Sequence, residues 1–245
     1  MHPQPIFYSR EINVKKLLAL ILTIILFFSY IKINFYSEKY SNPLLNFEKS
    51  IFKILLLEKD IFDMNVATGS GFVFKHFNGK SYLLTNDHLC DSEFDAILIQ
   101  DIENVYMGGG MGGRVIVTDK SKDLCILSTN NELEPLEIER EPKLNIGEEL
   151  FIIGAPEGDF PHISKVIVTD PDFEKHYLKD VFYDLDFKYN PILISGDVFY
   201  GQSGSPVINS RGKVVGIIFA KSGPNSGLVI RAEEINDFVE SIYLD

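Results

Sequence analysis

Before residue 65 the apolar positions of this chain come in long blocks; after it they come in short runs separated by turn residues. The first block, the fifteen residues Leu17 to Ile31, is broken only by Thr23 and Ser29 and is apolar on every face a helix would present. Fifteen helical residues cover about 22 Å, short of a hydrocarbon core of about 30 Å. Lys32 can snorkel, and Ile33, Phe35 and Tyr36 carry the apolar character on, so residues 17–36 are long enough to span. A cleaved signal peptide is the rival reading, but no Ala-x-Ala-like site follows the run. The segment is therefore expected to be an uncleaved transmembrane signal anchor after a polar tail, residues 1–16. In the second block Leu44, Phe47, Ile51, Ile54, Leu55 and Phe62 recur at spacings of three, four and seven. That spacing predicts a tether over 37–62 with an amphipathic helix, whose apolar face can either pack on the domain that follows or join a second copy in a homo-oligomer through residues 44–62.

The short runs predict strands at Val66–Lys75, Ser81–Thr85, Ala96–Gln100, Val115–Thr118 and Cys125–Ser128. A second set follows at Glu149–Ile153, Ile163–Thr169, Val181–Phe187, Ile192–Ser195, Ser205–Ile208, Val214–Ala220 and Gly227–Ile230. Asn78-Gly79 marks a tight turn between the first two strands. Many short strands at even spacing mean an all-β sandwich or barrels. The stretch Ala232 to Tyr243, with Ile235, Phe238, Val239 and Ile242 on one face, reads as a closing helix. Residues 63–245 form the expected folded domain.

Charge and cysteine content narrow the function classes. A net charge of −12 over 245 residues argues against nucleic acid as a partner, because phosphates would be repelled. The two cysteines, Cys90 and Cys125, make neither a disulfide framework nor a zinc site; two buried thiols are preferred over one bridge. Acidic residues cluster over 155–190, including Asp170, Asp172, Asp180, Asp184 and Asp186, but without calcium-loop spacing they read as a solvated edge. His76, His162 and His176 are scattered without ligand spacing, so no metal and no cofactor is expected. Gly108-Gly109-Gly110-Met111-Gly112-Gly113 fits a dinucleotide fingerprint, but a strand follows it rather than a helix, so it reads as a loop.

The candidate chemistry lies in three short stretches. Tyr200-Gly201-Gln202-Ser203-Gly204-Ser205-Pro206 sits between two apolar strands, where small residues let the backbone turn sharply. A serine there can act as a nucleophile, and the loop Gly201, Gln202 and Ser203 can form an oxyanion hole with the N–H groups of Gly201 and Ser203 as donors. His88 stands just past a strand, where a general base can serve. Asp123 opens an apolar strand, where a half-buried carboxylate can orient an imidazole. The order His, Asp, Ser is that of chymotrypsin-type proteases, not of subtilisins or α/β-hydrolases.

Four segments then carry a resemblance to a family. Gly69-Ser70-Gly71-Phe72-Val73, Leu84-Thr85-Asn86-Asp87-His88, Asp123-Leu124-Cys125-Ile126-Leu127 and Gly201-Gln202-Ser203-Gly204-Ser205-Pro206-Val207 resemble trypsin-like serine proteases of the HtrA type. The match covers residues 66–240. It implies two antiparallel β-barrels with a C-terminal helix and an active site in the cleft between them. His88 would be the base, Asp123 its orienting carboxylate and Ser203 the nucleophile. Three residues depart from the pattern. Ser205 replaces a usual glycine. Gln202 replaces the Asp that pancreatic members pair with a freed N-terminus, so activation by cleavage there is not expected. Tyr200 replaces a common proline and could crowd or line the cleft. No PDZ-like stretch follows the closing helix, so peptide-tail sensing is expected to be absent.

By the same resemblance, a primary pocket would be walled by Val198, Phe199, Ile218, Phe219, Ala220, Gly227 and Val229, suiting aliphatic or modest aromatic side chains. Asp197, six residues before Ser203, would select Lys or Arg if buried in that pocket, or is simply a turn residue. The expected function is a membrane-anchored serine endopeptidase acting on protein or peptide substrates. Its alternatives are a catalytically weak or inactive protease-fold binding or scaffold module and an esterase with the same triad. Arg10, Lys15 and Lys16 outweigh Lys32 and Lys39, which places the N-terminus in the cytoplasm and the domain outside it.

Overall fold

A computed structural model describes residues 47, 49–59, 64–90, 95–101, 110–178 and 188–242. The expected cytoplasmic tail, the expected anchor over 17–36 and the expected strand at Val181–Phe187 lie outside the described residues. Among the described residues no helix is long and apolar enough to cross a membrane.

The first strands are β1 (Ile51–Lys59), β2 (Met64–Phe77), β3 (Lys80–Thr85), β4 (Ala96–Gln100), β5 (Met111–Gly112), β6 (Arg114–Asp119) and β7 (Leu124–Thr129). They make one antiparallel sheet in the order β5-β4-β1-β2-β3-β7-β6. The hairpin between β2 and β3 turns at Asn78 and Gly79, both at positive φ, as a two-residue connection requires. The second set comprises β8 (Glu149–Gly154), β9 (His162–Asp170), β10 (Ile192–Gly196), β11 (Pro206–Ile208), β12 (Val214–Gly223) and β13 (Ser226–Arg231). These close into a barrel in the order β10-β13-β12-β11-β8-β9. An α-helix, α1 (Ala232–Glu240), follows and buries Ala232, Ile235 and Phe238 at a spacing of three.

The all-β expectation holds, with two differences in the first half. Its sheet is a half-barrel rather than a closed one. The two edge strands, β5 and β6, are separated in sequence by Gly113 alone, so they run on from each other instead of pairing. The larger correction concerns the expected amphipathic helix in 37–62. Residues 51–59 are a strand, paired on one side with β2 and on the other with β4. A continuous apolar run satisfies both helical and strand periods, and here a central place in the sheet decides it. Phe52, Ile54 and Leu56 point into the core and are at most 1% exposed. That face is therefore spent inside the fold and is not free to pair with a second copy. The folded domain also begins upstream of the expected boundary at residue 63.

Each half has its own core. Phe52, Ile54, Val73, Leu83, Ile99 and Leu127 pack the first, together with Cys90 and Cys125. Leu150, Val166, Val168, Ile194, Val207 and Val215 fill the second. β9 shows the expected alternation, with Ser164, Val166 and Val168 buried and Lys165 and Ile167 outside.

Candidate active site

The carboxylate and the imidazole meet in the first half. His88 sits in a 3-10 turn, Asp87–Leu89, directly after β3, and its neighbours Leu89 and Cys90 are buried while its own ring stays half exposed. Asp123 stands at the mouth of β7, 1% exposed. Its carboxylate accepts the His88 backbone N–H at 3.1 Å and faces Nδ1 at 3.1 and 3.0 Å. A carboxylate only accepts, so Nδ1 carries the proton in this pair and Nε2 of the neutral ring is left as the acceptor. Asp123 has φ +53°, a left-handed conformation uncommon for a side chain other than glycine. Asn86, two residues before His88, donates its side-chain amide to the Asp123 carbonyl at 3.0 Å.

A disulfide ties the same two segments together. Cys90 and Cys125 are bonded, with Cα atoms 6.5 Å apart across 35 residues of sequence. This corrects the reading of two free thiols. Each cysteine lies two residues after a member of the pair, Cys90 after His88 and Cys125 after Asp123. Once β3 and β7 pair, with Thr85 opposite Cys125, that equal offset brings the sulfurs into reach.

Ser203 is carried by a loop of the second half pressed against the first. The Ser70 N–H donates to the Ser203 carbonyl at 2.8 Å. The Ser70 hydroxyl donates to the Gly201 carbonyl at 3.0 Å and accepts from the Ala155 N–H at 3.0 Å. Thr85, three residues before His88, donates its hydroxyl to the Ser70 carbonyl at 2.7 Å. So close an approach demands glycine at 204. A Cβ there would come within 2.0 Å of the Ser70 carbonyl oxygen and 2.3 Å of Thr85 Oγ1. The loop is braced from behind by Gln202, fully buried, which accepts the Phe199 N–H at 2.8 Å and donates to Ser164 Oγ at 2.9 Å.

The peptide units on the loop have fixed orientations. The Tyr200 carbonyl accepts from the Glu157 N–H at 2.7 Å, and the Gln202 carbonyl accepts from the Ser205 N–H at 2.8 Å. In a trans peptide the N–H points opposite its carbonyl, so the Gly201 and Ser203 amides are aimed by these two bonds. The Ser203 hydroxyl donates to the Phe219 carbonyl at 3.3 Å.

Two of the departures from the family pattern are accommodated. Tyr200 is 75% exposed, under the Lys221 ammonium at 5.6 Å, and does not crowd the loop. The Ser205 side chain is fully buried and turns toward Gly154, where a Cβ would lie 1.9 Å from Ser205 Oγ. A glycine on β8 thus makes room for the extra hydroxymethyl.

The expected pocket residues separate into groups. Val198, Ile218 and Val229 belong to the core of the second barrel. Gly227 is covered, since a Cβ on it would meet Ile218 at 2.7 Å and Val198 at 3.0 Å. Phe219 is buried, whereas Phe199 and Ala220 are half-buried. Asp197 is exposed and follows Gly196 at φ +141°, which makes it a turn residue rather than a buried pocket acid. His76, His162 and His176 lie beside Glu132, Asp159 and Glu174 respectively, and among the described residues no cluster could hold a metal ion.

Sequence reasoning missed the seam residue Ser70 as a clamp, although it lies in a quoted motif. It also missed Tyr189, 6% exposed, whose hydroxyl donates to the Lys122 carbonyl at 3.1 Å. Burial first, then the Asp123, Glu234 and Asp119 carboxylates, push this phenol well above its ordinary value of 10.0, so it remains a donor. No local signal marks it, because its partner lies 67 residues away.

Comparison with known proteins places this geometry. Residues 69–217, well over half of the chain, match the family model for the trypsin-like peptidase domain. A "Serine protease HtrA-like" of Staphylococcus aureus (strain bovine RF122 / ET3-1) is 27% identical over 229 residues, covering 85% of this chain and 28% of that protein. Its namesake from Staphylococcus haemolyticus is 25% identical over 75% of this chain and 31% of its own length. The chain thus spans under a third of the curated relatives it matches. Among solved structures, the active form of the Rv3671c protease from M. tuberculosis superposes with a TM-score of 0.66 at 24% identity, covering 84% of this chain and 86% of that one. The HtrA-type protease AlgW with a tripeptide gives 0.67 at 19% identity, covering 83% and 63%. These likenesses carry the fold.

Proposed function

The chain belongs to the trypsin-like peptidase domain family, and on that footing we propose that it is an HtrA-type serine endopeptidase using Ser203, His88 and Asp123. The observation that carries this reading is the buried Asp123 carboxylate on His88 Nδ1, 3.0 Å away, beside a Ser203 loop locked against Thr85. In the proposed reaction Ser203 Oγ leaves the Phe219 carbonyl, passes its proton to His88 Nε2 and attacks the substrate carbonyl. The Gly201 and Ser203 amides receive the oxyanion. Asp123 holds the ring in the right tautomer and stabilises the imidazolium. The imidazolium then protonates the leaving amine, and water repeats the sequence on the acyl-enzyme. The half-buried Phe199 and Ala220 and the buried Phe219 give this part of the chain an apolar character that suits aliphatic or modest aromatic side chains before the cut.

The engagement of the Ser203 hydroxyl with the Phe219 carbonyl favours one second reading, a protease-fold binding module. A fluorophosphonate probe discriminates. Labelling of wild type that is lost in Ser203→Ala supports the peptidase; a wild type that stays unlabelled while folded supports the binding module. The proposal extends to an anchor over 17–36 with the domain outside the cytoplasm. The lysine and arginine bias around that segment supports it, as does the disulfide, which persists in oxidising compartments.

A further inference from the structure

Asp123 points at His88 only because its backbone holds a left-handed conformation, φ +53°. A non-glycine residue keeps such a conformation when its surroundings over-determine it. The two peptide planes that meet at the Asp123 Cα set φ and ψ, and with them the direction of Cβ. On the C-terminal side the plane is held through its carbonyl by Asn86 at 3.0 Å. On the N-terminal side the plane is the Lys122–Asp123 peptide. Its N–H reaches the Lys120 carbonyl over a long 3.4 Å, and its carbonyl accepts the Tyr189 hydroxyl at 3.1 Å. Asn86 belongs to the first half of the domain, Tyr189 to the second.

We propose that Tyr189 is a positioning residue for the reaction: its hydroxyl fixes the Lys122–Asp123 peptide and thereby aims the Asp123 carboxylate at His88. This rests on the triad assignment above. The groups around the phenol fit the task. Burial first, then the negative charge of Asp123, Glu234 and Asp119, disfavours the phenolate. The Lys122 ammonium is engaged elsewhere, with Glu234 Oε2 at 2.7 Å and Asp237 Oδ2 at 3.9 Å. The helix α1 thus grips the Lys122 side chain while Tyr189 grips its carbonyl, and the turn carrying Asp123 is held from both. Within the turn, Asp119 Oδ1 accepts from Ser121 N at 2.9 Å, from Ser121 Oγ at 2.7 Å and from Lys122 N at 3.3 Å. These bonds shape the turn but leave the Asp123 φ to its two planes.

The test is Tyr189→Phe, which keeps the ring and removes only the donor. The expected outcome is a fall in kcat of about 10–100-fold, with KM within about twofold, because a misaimed carboxylate costs orientation rather than substrate binding. In an Asp123→Ala background the same change is expected to add nothing. A second readout needs no turnover. In Ser203→Ala protein the His88 Nδ1–H proton, hydrogen-bonded to the carboxylate, gives a low-field NMR resonance that should move upfield or broaden in the Tyr189→Phe variant. A folded Tyr189→Phe protein with unchanged kcat and an unmoved resonance overturns the proposal, even if its Tm is lower. An equal loss of kcat with and without Asp123 overturns it too. Should wild type prove inactive on peptides, the resonance alone still decides the role of Tyr189, separately from the enzyme assignment.

Discussion

A single bond is informative here when its partner is also constrained. His88 Nδ1 faces a carboxylate that is 1% exposed and that also accepts the His88 backbone N–H, so the ring is presented in one orientation. If Ser203, His88 and Asp123 act as one unit, replacing Ser203 or His88 by alanine should each cost about 10⁶ in kcat, Asp123 about 10⁴, and the double variants scarcely more. Near-normal turnover in Ser203→Ala would end that assignment. The pairing of Ser205 with Gly154 gives a test that does not depend on turnover. Gly154→Ala places a Cβ 1.9 Å from Ser205 Oγ and 2.7 Å from Ser70 Oγ, an overpacking that should cost about 1–3 kcal/mol. Ser205→Gly in the same protein should recover part of this by urea unfolding. No recovery would mean that the Ser70 contact sets the cost.

At the scale of elements, the disulfide joins the turn that carries His88 to the strand that begins after Asp123. It closes 35 residues of chain, which in the chain-entropy model is worth about 4 kcal/mol. Replacing Cys90 and Cys125 together by alanine should lower stability by about that much and cut activity, since the His88 turn loses its tie to β7; a variant of unchanged Tm would show the bridge to be idle. The strand β1 leads to a sharper expectation. Ile51, Phe52, Ile54 and Leu56 are each at most 1% exposed, and burying four such side chains contributes about 6–12 kcal/mol, comparable with the whole stability of a domain. Residues 63–245 should therefore fail to fold cooperatively, whereas residues 47–245 should fold; a cooperative transition in the shorter piece would show β1 to be dispensable. The two elements also mark what could be read from sequence. β9 alternates cleanly and Asn78-Gly79 turns as its residues demand, because the cause is local. β1 could not be told from a helix, because Leu55 to Leu57 continue the apolar run across both faces and only pairing with β2 and β4 settles it. His88, Asp123 and Ser203 stood out by motif and order. The clamps on them, Ser70 across the seam and Tyr189 on the Lys122 carbonyl, depend on distant segments meeting; the motif around Ser70 does not tell its clamping role, and nothing near Tyr189 marks it.

For the molecule as a whole, charge and redox chemistry bear on the same question of compartment. The net charge is −12, yet the basic residues before residue 17 are Arg10, Lys15 and Lys16, set against Lys32 and Lys39 after the apolar run. Lysine and arginine near a span hold their side in the cytoplasm, and acidic residues count for little in that balance. The domain that follows carries a disulfide between two residues that are at most 7% exposed. In a reducing cytosol such a pair would be held as thiols, and by the argument above the His88 turn would lose its tie. Both considerations support the proposed topology, with residues 37–245 on the far side of the membrane. With the full chain expressed in cells, an external protease should remove a C-terminal epitope tag from intact cells while leaving an N-terminal one. Denaturation in the presence of a maleimide should label neither Cys90 nor Cys125 until a reductant is added. The opposite pattern, a C-terminal tag protected until the cells are lysed together with cysteines that label without reduction, would place the domain inside and leave the bridge open there. A protected tag with bridged cysteines would reverse the topology alone and leave the disulfide standing.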